Sequence, residues 1–404
     1  QQIAGSDPWR LASTNLVGYQ GKSVTLRFTG IRGSSYTSDM SIDDIRLSIV
    51  APLNAGVVEV QSPSGAICPG TTTPVVGVKN FGSNVLNNVD VVWEVNGVID
   101  TLSYTTPIQP GDTASVSLSP ITFNSTSVYD IKVYTSNPNG VVDPINVDDT
   151  LSLQGLRTGL SGTYTLDPNL APSASNFTSF SLLSQQLSNY GICGPTTVNV
   201  AAGVYSNPLE LSDILGLDAT NTLTIDGGDS STTIVSVTTP DFAALTLSNV
   251  DYVTVKNMTF EYLGTAGSGV IVANANHNTV SNCIVNVDAT TTGSGIYAIS
   301  VSGSSSSHTT GAIANYNTFS NNVIRGGYYG IRAYGSTATP VIGTKVLNNE
   351  FRDQYYYGAY FYYGDSTEVI GNDIDMIARG NVNADGMYMY YTPNFKFNEN
   401  KIAA

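Results

Sequence analysis

Hydrophobic and polar residues alternate with a period of two over many short segments of this 404-residue chain. Residues 24–28 form the first such segment, and residues 74–79, 89–95, 114–118 and 129–134 form later ones. Alternation with this period is typical of strands that bury one face. The pattern therefore predicts an all-β protein built from short strands.

A second pattern appears after residue 250, where a six-residue segment with apolar ends and asparagine near its middle occurs six times. Its copies begin at residues 255, 280, 319, 346, 369 and 397, so consecutive copies are 25, 39, 27, 23 and 28 residues apart. A glycine-led apolar segment, beginning at residue 269, 295, 330, 358 or 386, follows each of the first five copies. Repeats of this length predict the stacked coils of a solenoid.

We therefore predict a right-handed parallel β-helix over residues 156–404, with two strands in each coil and a C-terminal end that is truncated. Stacking would place asparagine above asparagine at the corners, where side-chain amides bond along the axis and tolerate left-handed backbone. The predicted structural asparagine ladder comprises Asn257, Asn282, Asn321, Asn348, Asn372 and Asn400. The opening stretch, residues 196–226, resembles the first coils of pectate-lyase-like β-helices in exported Bacteroidota proteins.

One short helix is predicted before the β-helix, because apolar residues recur at positions 177, 180, 183, 187 and 190. Asn176 is the expected N-cap, and Gly191 is the expected end. We expect this helix to cover the open end of the stacked sheets, whose backbone edge would otherwise pair with other chains.

Residues 1–50 contain a tryptophan near the start, Tyr19 and Gly21, the strand at 24–28 and the segment at 41–47. This order resembles the closing strands of MAM-like jelly-roll domains, so we expect the C-terminal part of such a domain. Asp43 and Asp44 are weak candidates for calcium ligands, because a calcium site needs six or more oxygens. We expect no cofactor, and calcium is the one candidate that the sequence leaves open.

Residues 51–155 carry several predicted strands, with Asn96–Gly97 between two of them. Asn-Gly is a strong hairpin signal because both residues tolerate positive φ. With a buried Trp93, this spacing predicts a β-sandwich that resembles immunoglobulin-like modules, although the paired core cysteines of antibody domains are missing.

Charge limits the partners. Lys and Arg number 16 against 31 Asp and Glu, giving a net charge of −15, so the chain would repel nucleic acids. No apolar run reaches the length of a membrane span.

Cys68, Cys193 and Cys283 lack paired spacing, so we predict small buried thiols. His277 and His308 suggest no metal cluster.

Tyrosines dominate the face of the glycine-led strands that we expect to point outward. The predicted columns are Tyr297, Arg332, Tyr360 and Tyr388, and beside them Ile299, Tyr334, Tyr362 and Tyr390, with Tyr363 and Tyr391 adjoining. Three interpretations are open: stacking that only rigidifies the sheet, a protein or self-assembly interface, and glycan binding.

We expect no catalytic residues. Asp353, Asp365, Glu368, Asp373, Asp375 and Asp385, with Arg352 and Arg379, are the charged groups that a lyase or hydrolase would use. None repeats from coil to coil as paired acids, so solvated edge charges are the expectation.

The whole arrangement resembles part of a giant surface adhesin or appendage protein of the Bacteroidota, of the kind exported by type IX secretion. This resemblance implies an extracellular segment with a structural and adhesive role, cut from a longer polypeptide. Its expected partners are other domains or copies of the same chain, a surface protein or a glycan. The alternative is a carbohydrate-active enzyme or a glycan-binding module.

Overall fold

A computed structural model describes residues 23–29, 51–63, 65–125 and 127–404. Contacts divide the described chain into two units: residues up to 61 with 75–119 and 131–153, and residues 62–74, 120–130 and 154–404. Residues 24–28 are exposed and form no strand, contrary to the prediction. Asp43, Asp44 and most of the predicted jelly-roll segment lie outside the described residues.

The first unit is built on two sheets. One has the strand order β1 (Ala55–Ser62), β3 (Val75–Asn80), β6 (Thr113–Ser117). The other has the order β5 (Val98–Tyr104), β4 (Val89–Val95), β8 (Tyr129–Ser136), β9 (Thr150–Leu156). Asn96 and Gly97 both have positive φ and join β4 to β5, so the predicted hairpin turn is confirmed. Trp93 is buried, at 4% exposure, as expected. The immunoglobulin-like identity of this segment stays a prediction.

The second unit contains a right-handed parallel β-helix with three long sheets, which confirms the predicted fold class. The first sheet comprises, in spatial order, β11 (Asn176–Phe177), β10 (Leu160–Leu166), β12 (Ile192–Val200), β15 (Leu223–Asp226), β18 (Val253–Lys256), β21 (Thr279–Ser281), β24 (Thr318–Ser320), β28 (Lys345–Leu347), β32 (Glu368–Ile370) and β35 (Lys396–Asn398). The second sheet comprises β13 (Gly203–Tyr205), β16 (Thr233–Val237), β19 (Thr259–Tyr262), β22 (Ile284–Val287), β25 (Val323–Arg325), β29 (Glu350–Arg352), β33 (Asp373–Asp375) and β36 (Lys401–Ala403). The third sheet comprises β14 (Leu209–Ser212), β17 (Ala243–Ser248), β20 (Gly267–Ala273), β23 (Ile296–Ser302), β26 (Tyr329–Tyr334), β30 (Tyr357–Tyr362) and β34 (Asp385–Tyr390).

Two small pairs complete the strands of the second unit. They are β2 (Gly70–Thr72) with β7 (Ile121–Phe123), and β27 (Val341–Ile342) with β31 (Gly364–Asp365). No helix in the described part of the chain is long and apolar enough to cross a membrane.

The coil lengths agree with the predicted repeat. Val255 pairs with Val280, Val280 with Phe319, and the series continues through Val346 and Val369. The prediction of two strands per coil is wrong, because each asparagine segment is a corner between a first-sheet strand and a second-sheet strand. The third sheet then carries the glycine-led strands, so each coil has three sides.

The single helix, α1 (Phe180–Tyr190), lies where the apolar periodicity places it. Its N-cap is Ser179, whose hydroxyl accepts a hydrogen bond from the Leu182 amide at 3.2 Å. Asn176 is therefore not the cap; it belongs to β11, and its side chain accepts from the Thr165 hydroxyl and the Asp167 amide. Gly191 ends the helix with φ +68°. Phe180, Leu183 and Leu187 pack into the β-helix core beside the first coil.

The asparagines at the corner form two adjacent columns rather than one ladder. Asn257, Asn282, Asn321 and Asn348 have φ between +53° and +58° and adopt the left-handed conformation. The next residue along the chain forms the amide ladder: Asn322, Asn349, Asn372 and Asn400 each accept a hydrogen bond at 2.9 Å from the backbone N–H one coil earlier. Asn372 and Asn400 thus belong to the amide ladder, and the other four predicted members hold the turn.

The cysteine prediction is wrong for two of three residues. Cys68 and Cys193, both in the second unit, form a disulfide across 125 residues of sequence. Cys283 is a free and buried thiol, as predicted, and burial raises its pKa to about 12. The error arose because Cys68 lies in a loop before β2 and Cys193 lies in β12, so that no local spacing in the sequence indicates the pair.

Candidate functional site: the tyrosine face

The outward side of the third sheet carries three neighbouring columns of side chains across its last coils. We call this surface the tyrosine face. It comprises Tyr329, Arg332 and Tyr334 on β26, Tyr357, Tyr360 and Tyr362 on β30, and Tyr388 and Tyr390 on β34, with Tyr363 and Tyr391 beside them. The alternate residues Ile331, Ala359 and Met387 point toward the core, as the alternation predicts.

A glycine column allows the coils of this sheet to approach closely. A Cβ on Gly330 would lie 2.4 Å from the Gly358 carbonyl oxygen, and one on Gly358 would lie 2.5 Å from that of Gly386. No side chain fits at those distances, so glycine is required there. The tyrosines follow at fixed offsets from this glycine column, which explains why they stack.

The pairing register between β26, β30 and β34 places most of the predicted contact residues in the columns that the sequence predicts. Arg332 pairs with Tyr360, which pairs with Tyr388; Tyr334 pairs with Tyr362, which pairs with Tyr390.

Two placements were wrong. Tyr297 pairs with Tyr329, three positions away from Arg332, whose own partner is Ser300. Ile299 pairs with Ile331 and lies in the core at 0% exposure. The prediction aligned Gly295 with the column glycines Gly330 and Gly358. In the structure Ala298 occupies that position in β23, so every residue after it shifts by three.

Stacking fixes the ring orientations. The ring centroids of Tyr334 and Tyr362 are 4.7 Å apart, and those of Tyr362 and Tyr390 are 5.0 Å apart, with interplanar angles of 15° and 5°. Tyr363 and Tyr391 stack at 5.1 Å and 2°, at right angles to their neighbours. Rings in contact face to face direct their edges and hydroxyl groups outward, so the surface offers rows of hydroxyls on a rigid aromatic base.

Arg332 lies in the middle column of the tyrosine face, on its first coil, and is only 8% exposed. Its guanidinium carbon lies 4.7–5.6 Å from the ring centroids of four tyrosines, namely Tyr297, Tyr329, Tyr334 and Tyr360. Its Nη1 donates to the Tyr297 hydroxyl at 2.9 Å, while its Nε is buried without a partner. Within the described residues it forms no ion pair, so the aromatic rings stabilise its charge.

Tyr297 is covered, although it was predicted to be a contact residue. It is 4% exposed and packs against His308, with ring centroids 3.8 Å apart. Burial, with the charge of Arg332, lowers the pKa of His308 to about 3, so this ring is neutral at physiological pH. The segment around His308 therefore closes one end of the tyrosine face.

Sequence reasoning missed the column formed by Tyr329 and Tyr357, and the edge rings Tyr328 and Tyr356. Tyr328 and Tyr356 stack at 5.1 Å. A repeated signal was present, because a Tyr-Tyr-Gly triplet begins one residue before both β26 and β30. Burial raises the pKa of Tyr329 to about 12, and its hydroxyl therefore stays protonated at neutral pH.

Three of the charged groups considered for catalysis, Arg352, Asp373 and Glu368, are held in ion pairs. Arg352 contacts Glu350 at 3.0 Å and Asp373 at 2.9 Å, and Glu368 contacts Lys396 at 2.6 Å. The Lys396 hydrogen bond lowers the pKa of Glu368.

Asp365, Asp375 and Arg379 form hydrogen bonds of their own. The Asn394 amide donates to Asp365 at 3.0 Å and lowers its pKa. Arg379 donates to the backbone carbonyls of Asp353 and Thr291. Asp375 accepts from the Ile377 amide at 3.2 Å, and Asp385 is exposed beside Tyr357. Across the described ranges, no three His, Cys, Asp or Glu side chains are arranged to hold a metal ion.

Comparison with known proteins agrees with the fold. Residues 217–374, and again 287–404, match the sequence model of the family described as "Right handed beta helix region". No curated protein matches the chain.

Several solved enzyme structures are distantly similar to this chain. Rice weevil pectin methyl esterase is 11% identical over 57% of this chain and 87% of its own, with a TM-score of 0.34. The catalytic domain of a GH87 α-1,3-glucanase is 12% identical over 87% and 74%, also with a TM-score of 0.34. An alginate lyase from Paenibacillus is 13% identical over 55% and 97%, with a TM-score of 0.27. These similarities are too distant to support a function.

Proposed function

We propose that this chain is a binding module for a carbohydrate polymer and that the tyrosine face is its contact surface. The observation that carries the proposal is the joining of three tyrosine columns across consecutive coils around one enclosed arginine. A contiguous aromatic surface of this kind on a protein generally marks a contact site.

The chemistry of the tyrosine face suits a polyhydroxylated ligand. Each ring presents a hydroxyl that both donates and accepts hydrogen bonds, together with an apolar edge. Because the rings are already ordered by stacking at about 5 Å, a ligand would lose little side-chain entropy on binding. The repeat of about 4.8 Å per coil would place equivalent hydroxyls in a line along a linear chain.

The state of the carboxylates favours binding over cleavage. Glycoside hydrolysis needs an acid with a raised pKa beside a second carboxylate. In the second unit, the resolved aspartate and glutamate shifts are all downward, as for Glu368 and Asp365. We therefore propose a module rather than a lyase or hydrolase.

A second candidate is attachment to a protein surface, or self-assembly with copies of the same chain. It is favoured by the ring orientations, because stacked rings offer edges rather than open faces to a sugar. Tyrosine and arginine are also enriched at the centres of protein interfaces. On this hypothesis the chain is an adhesive segment of a large surface protein, of the Bacteroidota type IX class.

The proposed extracellular location is supported by the Cys68–Cys193 disulfide. Disulfides persist in oxidising compartments and are rare in the reducing cytosol.

The test replaces Tyr360, Tyr362, Tyr388 and Tyr390 by serine. Affinity electrophoresis with a panel of neutral and acidic polysaccharides should show retardation of the unmodified chain and its loss in the variant. Tyr316→Ser is the matched control, because Tyr316 is exposed and stacked, against His277, on a different corner.

Three outcomes separate the candidates. Retardation without new reducing ends supports the module, whereas reducing ends or unsaturated products would favour an enzyme. Concentration-dependent oligomers in sedimentation, abolished by the four substitutions and unaccompanied by glycan binding, would favour self-assembly. Equal retardation of variant and unmodified chain would overturn the assignment of the tyrosine face.

A further inference from the structure

A surface cavity of about 440 Å³ lies beside the tyrosine face, at loops that connect the second sheet to the third. Its polar lining includes Glu261, Asn286, Asp288 and Thr291, and its apolar lining includes Leu263. This volume falls within the range of small-molecule sites. None of these residues was singled out by the sequence pattern.

Two carboxylates define the chemistry of the cavity. Glu261 pairs in register with Asn286 on the next coil, and its Oε2 accepts from the Ser236 hydroxyl at 2.5 Å. Asp288 accepts from the Thr290 hydroxyl and amide, both at 2.7 Å, and these bonds lower its pKa. Asp288 is therefore ionised at neutral pH.

Neither carboxylate is neutralised by an ion pair in the described part of the chain. Arg379 lies close enough to lower the pKa of Asp288. Its two Nη atoms, however, donate to the backbone carbonyl oxygens of Asp353 and Thr291. An ionised carboxylate has about four acceptor positions, so each of the two retains capacity to accept a hydrogen bond from a ligand.

Backbone hydrogen bonds join the loops around the cavity to the segment that leads into β26 of the tyrosine face. The Gly327 amide donates to the Asp288 carbonyl at 3.0 Å, and the Tyr328 amide donates to the Ile296 carbonyl at 2.8 Å. Tyr328 stacks on Tyr356 along the same edge. The cavity therefore borders the edge on which Tyr328 and Tyr356 lie.

We propose that the cavity is a subsite for one residue of a neutral polysaccharide, an inference that rests on the proposed function. Carboxylates accept hydrogen bonds from sugar hydroxyls, and Leu263, 63% exposed, offers an apolar contact for the ring carbons. The two carboxylates outnumber the one nearby positive charge, that of Arg379, and in a chain of net charge −15 they repel uronates and sulfated sugars. The electrostatics therefore select against acidic glycans.

The test uses the full chain and isosteric variants. Glu261→Gln with Asp288→Asn removes both charges while keeping side-chain size. Titration calorimetry with soluble xylan, glucomannan and β-glucan should show one neutral polymer binding roughly tenfold more weakly to the double variant, because charged hydrogen bonds are stronger than neutral ones. Glu210→Gln is the control, since Glu210 is exposed on β14 at the other end of the third sheet. Equal thermal midpoints would show that the variants fold.

The failures are distinguishable. If the unmodified chain binds a neutral polymer and the double variant binds it equally, the subsite is wrong while the tyrosine face stands. Tighter binding of polygalacturonate or alginate than of every neutral polymer would overturn the ligand class. Absence of binding to all the polymers would overturn the proposed function along with the subsite.

Discussion

The amide ladder makes a quantitative prediction about Asn349. This residue is 1% exposed, and its side chain forms four hydrogen bonds. It accepts from the Asn322 backbone and side-chain amides and donates to the Phe319 carbonyl and to the Asn372 side chain, at 2.9–3.0 Å. Asn349→Ala removes all four bonds and leaves the buried Asn322 N–H and Phe319 C=O without these partners.

The expected loss follows from these bonds. Each buried hydrogen bond contributes about 1 kcal/mol net, and a buried backbone group left without a partner costs about 1–3 kcal/mol. Partial relaxation reduces the total, so we expect Asn349→Ala to lower the free energy of unfolding of the β-helix by about 4 kcal/mol. That is a large fraction of the typical stability of a folded unit, about 5–15 kcal/mol.

Denaturant unfolding followed by far-UV circular dichroism measures this change. Neither tryptophan lies after residue 154, so tryptophan fluorescence does not report on the β-helix and serves as an internal reference. Asn348→Gly is the matched control: Asn348 is exposed with φ +54°, a conformation that glycine adopts without strain. We expect this variant to change the free energy of unfolding by less than about 0.5 kcal/mol. Equal stabilities of the two variants would refute the division of roles between adjacent asparagines.

Three further predictions concern other parts of the chain. Burial, with the nearby charges of Asp143 and Asp148, raises the pKa of Asp149 to about 6. The first unit should therefore gain stability as pH falls from about 7 to 4, and Asp149→Asn should stabilise it at pH 7.5 by roughly 1–3 kcal/mol. Unfolding followed by Trp93 fluorescence measures both effects. A free energy of unfolding that does not change with pH in the unmodified chain would contradict this prediction. Cys68→Ser should cost the second unit about 2–4 kcal/mol, and a reducing agent should then have no further effect on its unfolding midpoint. Gly358→Ala should lower the free energy of unfolding by about 1–3 kcal/mol through overpacking. Gly293→Ala should be neutral, because its added Cβ would meet nothing closer than 3.9 Å. Comparable thermal midpoints for the two variants would argue against the glycine column.

Repeat spacing alone was enough to identify the coils. Val255, Val280 and Phe319 stack as the intervals indicate, because a solenoid buries its apolar residues only when equivalent positions lie above one another. The strand from 89 to 95 and the turn at Asn96–Gly97 were also correct, since alternation and positive φ are local properties.

Errors arose where a position's role depends on its neighbour in the next coil. Asn348 and Asn349 are chemically identical and adjacent, yet one is exposed in left-handed backbone and the other is buried in the amide ladder. Tyr297 was assigned three residues out of register because Gly295 resembles the column glycine that Ala298 replaces. The segment carrying His308 then covers Tyr297, which no local pattern indicates.

The sequence by itself determined that the chain stacks coils, how long each coil is, and that tyrosine recurs on one strand of each late coil. Only the tertiary structure decided which tyrosines share a column, which cysteines pair, and that Glu261 and Asp288 meet in one cavity. The physical reason is that periodicity is encoded within a segment, whereas register, burial and proximity are set by contacts between residues 20 to 125 positions apart.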